Sequence, residues 1–194
     1  SDVYQAKTGK GLPHLGGISF GVPPDEVVCG PYDVDDALAD LFFERVEVER
    51  ILSVWRAKKN LILQGPPGVG KTYAARRLAY ALMGAKDPDR VGLIQFHQSY
   101  SYEDFIQGFR PTGTGEFSLR DGRFVEFCRL ARGSNDPFVF IIDEINRGNL
   151  SKILGELMLL IEGDKRGPEW EMPLAYGGDF YVPDNVYLLG LMNK

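Results

Sequence analysis

Lys71 and Thr72 close the stretch Gly65-Pro66-Pro67-Gly68-Val69-Gly70-Lys71-Thr72, which fits the pattern G-x-x-x-x-G-K-[ST] without a mismatch. Its glycines let the backbone fold tightly enough to aim N–H groups at phosphate oxygens. The Lys71 ammonium would reach the β- and γ-phosphates, and the Thr72 hydroxyl would ligate Mg2+. A second chemical group, Asp143-Glu144, follows the unbroken apolar run Phe138-Val139-Phe140-Ile141-Ile142. A carboxylate at the C-terminal tip of a buried parallel strand faces the crevice where ligands bind. Asp143 suits Mg2+, through water or together with Thr72, and Glu144 could polarise the water that attacks a γ-phosphate.

Other residues have two readings on spacing alone. Asn193 follows a strand-like run and could bond the attacking water or the γ-phosphate, or simply occupy a turn. Asn146 and Arg147, just past Glu144, could serve the phosphates or a neighbouring subunit, or be a solvated loop. Arg76-Arg77 reads as the wet face of the helix after the phosphate loop. The aromatic cluster Phe96-His97-Gln98-Ser99-Tyr100-Ser101-Tyr102 could stack on bases, or could pack beneath a hairpin. Cys128 lies in a helical apolar pattern and reads as a core side chain. Cys29 and Cys128 do not make a disulfide framework, and His14 and His97 lack partners at zinc-ligand spacing.

The elements that must position these groups are legible as periodicity. Residues 60–64 form a short apolar strand before the phosphate loop, and residues 72–82 an Ala/Leu-rich helix after it. Asp33 reads as the N-cap of a helix over residues 34–41. A second helix spans residues 45–59, with Val48, Ile51, Leu52 and Trp55 on one stripe and Asn60 ending it. Residues 91–96 and 186–192 read as strands, and residues 101–105 open a short helix. Residues 112–124 read as a β-hairpin with Asp121-Gly122 as its turn signal, followed by a helix over residues 125–132. Asn149 caps a helix predicted to run without interruption over residues 150–162, and residues 171–182, with Gly177-Gly178, read as another hairpin. Strands alternating with helices predict a parallel sheet covered on both faces. Residues 1–31 are rich in Gly and Pro and read as an arm or linker, leaving 32–194 as the folded core.

Of the 194 residues, 44% are hydrophobic and 25% charged, as in an ordinary globular domain. No apolar run approaches the ~20 residues of a membrane span, and the first residues lack a signal-peptide layout, which predicts a cytoplasmic protein with no membrane contact. The net charge of −5 argues against a surface that holds a DNA backbone unaided.

Longer segments now allow a family comparison. Gly65-Pro66-Pro67-Gly68-Val69-Gly70-Lys71-Thr72 resembles the AAA+ version of the phosphate loop. Phe96-His97-Gln98-Ser99-Tyr100-Ser101-Tyr102-Glu103-Asp104-Phe105-Ile106-Gln107-Gly108-Phe109-Arg110-Pro111 resembles the McrB family, the nucleotide-driven subunits of a restriction system for modified cytosine. Asp143-Glu144-Ile145-Asn146-Arg147-Gly148-Asn149-Leu150-Ser151-Lys152 is similar to that family's extended acidic segment, with Gly148 where Ala is common. Val182-Pro183-Asp184-Asn185-Val186-Tyr187 and Gly190-Leu191-Met192-Asn193 resemble the approach to its sensor asparagine. The resemblance covers about residues 32–194.

The resemblance implies an α/β fold: a three-layer P-loop NTPase (AAA+) core with a parallel sheet, β-hairpin insertions, and a helical lid and arginine fingers that lie beyond Lys194. It implies that residues 65–72 bind nucleotide, that Thr72 and Asp143 hold Mg2+, and that Lys71, Glu144, Asn193, Asn146 and Arg147 serve hydrolysis. Residues 103–132 become an insertion that projects toward the channel of a ring. The implied substrate is GTP, or ATP. The implied partners are further copies in a homo-oligomeric ring, a hexamer when full length; a McrC-like subunit that activates hydrolysis and carries the nuclease; and DNA reached through other domains or the pore. Without arginines supplied in trans this segment alone should hydrolyse weakly. Two other functions share the same motifs: a MoxR-like ATPase that remodels proteins, and a module that uses nucleotide only to order an assembly.

Overall fold

The computed structural model describes residues 29–113 and 115–193, so residues 1–28 of the expected arm lie outside the described residues. In chain order the elements are β1 (Gly30–Pro31), α1 (Val34–Asp40), α2 (Arg45–Lys58), β2 (Asn60–Gly65), α3 (Lys71–Met83), β3 (Ala85–Lys86), β4 (Val91–Gln95), α4 (Tyr102–Phe105), β5 (Gln107–Pro111), β6 (Phe117–Asp121), α5 (Arg123–Ala131), β7 (Phe138–Asp143), α6 (Leu150–Leu154), α7 (Leu157–Leu160), β8 (Met172–Pro173), β9 (Asp179–Phe180) and β10 (Val186–Asn193). Short 3-10 turns sit at Pro88–Arg90, Ile145–Arg147 and Pro168–Trp170.

The central sheet has the order β2-β10-β7-β4, and all its pairings are parallel. Strand side chains alternate between faces, so one strand can feed two cores. In β7, Phe138, Phe140 and Ile142 pack on one side with α4–α7, while Val139 and Ile141 pack on the other with α1–α3. This three-layer α/β arrangement explains why β7 carries an unbroken apolar run. Trp55, fully buried on α2, donates from Nε1 to the Leu188 carbonyl at 2.9 Å and ties the helical layer to β10.

Local chemistry accounts for the helix ends. Asp33 caps α1, accepting from the Asp35 and Asp36 amides while Asp36 reaches back to the Asp33 amide. Ser101 and Asp104 make the same reciprocal box at α4. At the end of α2 it is Lys59, not Asn60, that terminates the helix. Lys59 adopts φ 62° and its amide bonds the Trp55 carbonyl, which leaves Asn60 to begin β2. Cys128 is fully buried, and burial pushes its thiol up.

Two expected elements take a different form. The hairpin is β5–β6, with the Thr112 amide bonding the Glu116 carbonyl at 2.7 Å beyond the paired strands, and Asp121-Gly122 is not its turn. Instead Gly122 is the N-cap of α5, and its amide bonds the Ile106 carbonyl at 2.6 Å. A Cβ there would lie 2.4 Å from the Phe105 carbonyl carbon, so the glycine serves close backbone approach. The helix expected over residues 150–162 is broken into α6 and α7 at Gly155. The next residue, Glu156, accepts from the Tyr102 hydroxyl at 2.5 Å and from the Ala175 amide at 2.9 Å. These contacts, distant in sequence, override the local helical pattern. The second hairpin is present as β8–β9.

Gly122→Ala should destabilise the chain by roughly 3 kcal/mol, because the neighbouring atoms are backbone and cannot turn aside. Urea unfolding followed by circular dichroism measures this; an unchanged midpoint would contradict the packing described.

Candidate active site

The residues at issue are brought together by strand register. Asn193 is opposite Gly65 in the β10–β2 pairing, and Gln95 is opposite Asp143 in β4–β7. The C-terminal tips of all four parallel strands therefore lie along one edge of the sheet, with those of β2, β10 and β7 beside the first turn of α3. Gly70 caps that helix in the left-handed region, at φ 78°, a conformation a Cβ would strain. An open cleft of about 360 Å³ at this point is lined by Pro67, Gly68, Gly70, Lys71, Thr72, Tyr73, Asp143, Glu144 and Asn193.

Within it, Lys71 Nζ donates to the Gly65 carbonyl at 3.0 Å, the Pro66 carbonyl at 2.7 Å and Asn193 Oδ1 at 2.7 Å. Asn193 Nδ2 donates in turn to Glu144 Oε1. The other carboxylate oxygen, Oε2, accepts from Arg147 Nε at 2.9 Å. One amide thus bridges the ammonium of the phosphate loop to the carboxylate after β7. Glu144 sits in the left-handed region at φ 53°, uncommon for a residue with a side chain, and its amide bonds Asp143 Oδ1 at 2.9 Å. The strained turn sends the two neighbouring carboxylates in different directions: Asp143 toward Thr72, Glu144 toward Asn193.

The Thr72 hydroxyl donates to Asp143 Oδ2 at 3.0 Å. Two hard oxygen donors this close, both half-buried at the phosphate end of the cleft, match what Mg2+ takes from protein when phosphates and water supply its remaining ligands. Chemically, the site can hold a polyphosphate against the loop and α3, and place a carboxylate near its outer end.

Asn146 and Arg147 lie on the short turn after Glu144. Asn146 Nδ2 approaches the Asn193 carbonyl at 3.5 Å, and Arg147 pairs with Glu144 while remaining largely exposed. Together with His97, Gln98 and Ser99 they also line a second, wider groove of about 590 Å³. In the aromatic cluster, packing is what the structure shows for Phe96 and Tyr100. Phe96 is 1% exposed, with Tyr100 and Phe105 rings 4.9 and 5.7 Å from its own. The wet-face reading of Arg76-Arg77 is corrected: both are half-buried. Arg77 is drawn inward because it stacks over the Tyr73 ring at 3.4 Å and pairs with Asp40 at 3.1 Å. Tyr73 as a cleft residue was missed by motif reasoning; its one signal was its place directly after Thr72.

Comparison with known proteins adds the following. The model of the AAA domain, dynein-related subfamily, matches residues 60–194. The chain is 58% identical over 167 residues to the type IV methyl-directed restriction enzyme EcoKMcrB subunit of Escherichia coli (strain K12), covering 84% of this chain and 36% of that protein. It is 26% identical over 176 residues to the type II restriction enzyme BsuMI component YdiS of Bacillus subtilis (strain 168), covering 70% of this chain and 51% of that protein. The chain thus spans about a third to a half of the length of these curated relatives.

Replacing Lys71 by Met removes the one ammonium held over the loop. Triphosphate affinity should fall by about 10- to 100-fold, the worth of charge-assisted hydrogen bonds. Titration with a fluorescent nucleotide analogue measures it, and undiminished affinity would rule out this loop as the phosphate site.

Proposed function

Because the chain belongs to the AAA domain family, in its dynein-related subfamily, we propose that it binds and hydrolyses a nucleoside triphosphate, with GTP preferred over ATP. The observation that carries this is the hydrogen-bonded series Lys71–Asn193–Glu144, set beside the Thr72–Asp143 oxygen pair in one cleft. Residues 65–72 hold the triphosphate through backbone N–H groups, and Lys71 exchanges its carbonyl partners for β- and γ-phosphate oxygens. Thr72 and Asp143 hold Mg2+, which when bound neutralises charge on those phosphates. Glu144 accepts a hydrogen bond from the attacking water and aligns it with the γ-phosphorus. Asn193 stands between Lys71 and Glu144 and reports the γ-phosphate to the carboxylate. Asn146 and Arg147 steady Asn193 and Glu144 from the other side.

For the whole protein we propose a reading that its relatives support. Likeness to two restriction-enzyme components supports a ring-forming AAA+ motor, hexameric when full length, that drives DNA translocation in restriction of modified DNA. Its partner is a McrC-like subunit that activates hydrolysis and carries the nuclease, and DNA is engaged by the full assembly. Residues 32–194 are the motor core in this reading. No helix among the described residues is long and apolar enough to cross a membrane.

Glu144→Gln in the full-length protein, assayed with its activating partner, should retain nucleotide binding and lose at least about 100-fold in kcat. Hydrolysis at the unsubstituted rate would remove Glu144 from the mechanism.

A further inference from the structure

The β5–β6 hairpin turns its apolar side outward. Among the described residues its strands pair with each other and with no other strand. Phe109 stands opposite Leu119 and Pro111 opposite Phe117, so these side chains share one face. Gly108, Arg110, Ser118 and Arg120 belong to the other. That polar face lies against the body: a Cβ on Gly108 would sit 2.5 Å from Glu103 Cβ, and Arg110 donates to the Glu103 carbonyl and to Asp104. On the apolar face Phe109, Phe117 and Leu119 are 53%, 70% and 39% exposed. Tyr176 of the second hairpin, 40% exposed, extends the patch, its ring 5.7 Å from that of Phe109. An antiparallel ribbon ordinarily packs its apolar face on the core, and a contiguous exposed apolar patch marks an interaction surface.

Ladder hydrogen bonds fix which way the backbone of β6 points. The Thr112 amide bonds the Glu116 carbonyl, and the Gly122 amide bonds the Ile106 carbonyl. Even-numbered residues of β6 therefore bond to β5, and the amides and carbonyls of Phe117 and Leu119 point away from it. From the residue before β6 this open edge reads Glu116-Phe117-Ser118-Leu119-Arg120, which is complementary to itself when reversed. Antiparallel pairing about Ser118 sets Phe117 opposite Leu119 and Glu116 opposite Arg120, and the outward groups of Phe117 and Leu119 complete the ladder. Glu116 and Arg120 are exposed, and neither has an ion-pair partner among the described residues. We propose that the occupant of this surface is a second copy of this chain, joined β6 to β6 across a two-fold axis into one antiparallel sheet. Such a contact closes on itself, so it is separate from the head-to-tail contacts that build a ring. The pairing uses none of the residues proposed for hydrolysis. A nucleic-acid backbone fits the edge worse, because the edge alternates donors with acceptors and the chain carries a net charge of −5.

In this register Ser118 faces its own copy in a non-hydrogen-bonded pair, with Cα atoms roughly 4.5 Å apart, inside the span of a disulfide. The test uses full-length protein whose exposed cysteines, Cys29 among them, are replaced by serine. Ser118→Cys, mildly oxidised, should give a disulfide-linked dimer on a denaturing gel. Adding Glu116→Arg or Arg120→Glu sets like charges opposite each other and should cut the yield about 5- to 10-fold. Mixing the two charge-reversed proteins puts opposite charges back at both positions and should restore it. No dimer from Ser118→Cys, or a yield indifferent to the charge reversals, overturns the pairing. A thiol at this position that forms no dimer and is shielded from reagent only by the activating partner assigns the surface to that partner instead. Leu119→Pro removes an amide that β5 does not use and leaves the hairpin in place. In sedimentation velocity without nucleotide, the unsubstituted protein should shift toward twice the mass of one chain as concentration rises, and Leu119→Pro should not. Identical behaviour of the two overturns the proposal as well.

Discussion

The position of β10 between β2 and β7 is the constraint on which the site depends. Both pairings are parallel and in register, so Asn193, Gly65 and the end of β7 arrive at the same edge of the sheet. A slip of one residue would turn each β10 side chain to the opposite face. It would expel Leu189 and Leu191 from the core beneath α1–α3, and Leu188 from the core on the other side. Hydrophobic packing on both faces thus fixes, to within one residue, where a polar amide stands relative to the phosphate loop. The Trp55 bond to the Leu188 carbonyl adds a polar fastening at the start of the same strand. The site is precise because the sheet beneath it cannot shift register without losing both cores.

The same packing shows why so much of the nucleotide end was legible in the sequence and so little of the layer built by α4 to α7. The phosphate loop, the acidic pair and Asn193 are each local signals: residue types at strand tips, bounded by apolar runs that can only be buried strands. Their assembly follows from the parallel topology, which the alternation of strands and helices already implies. The layer of α4 to α7 obeys other rules. Asp121-Gly122 has the composition of a hairpin turn, yet the tight spot is a backbone crossing at Phe105 and Ile106. Leu150 to Glu162 has the apolar spacing of one helix, yet Glu156 is claimed by Tyr102 and Ala175. Those partners lie 54 and 19 residues away. A pattern read over a few turns does not register them, and propensity yields to tertiary contacts.

Arg77 shows the same limit at a single side chain. A second arginine on the exposed arc of a helix reads as solvated, and nothing within α3 contradicts that. Its partner is Asp40, on α1, and its support is the Tyr73 ring one turn before it. Whether a charged residue faces water or a neighbour is decided by which other helix shares its layer. Here α1 is laid across α3 by the burial of Ala37 and Leu41 in the core that also takes Ala75, Leu78 and Ala79.

Lys71 ties the geometry to the chemistry. Its ammonium donates to two loop carbonyls and to Asn193. A triphosphate entering the loop offers it charged acceptors in their place. Exchange of one set of hydrogen bonds for another costs little, and charge-assisted bonds are the stronger. The loop is therefore held ready at small expense, with its lysine satisfied and not left bare. When Lys71 turns to phosphate, the bond it surrenders at Asn193 Oδ1 is on the same amide whose Nδ2 holds Glu144. An amide is rigid and planar, so a change of partner at one end reorients the donor at the other. In the proposed hydrolysis, arrival of the γ-phosphate and freedom of the Glu144 carboxylate would thus be a single event, carried by one side chain.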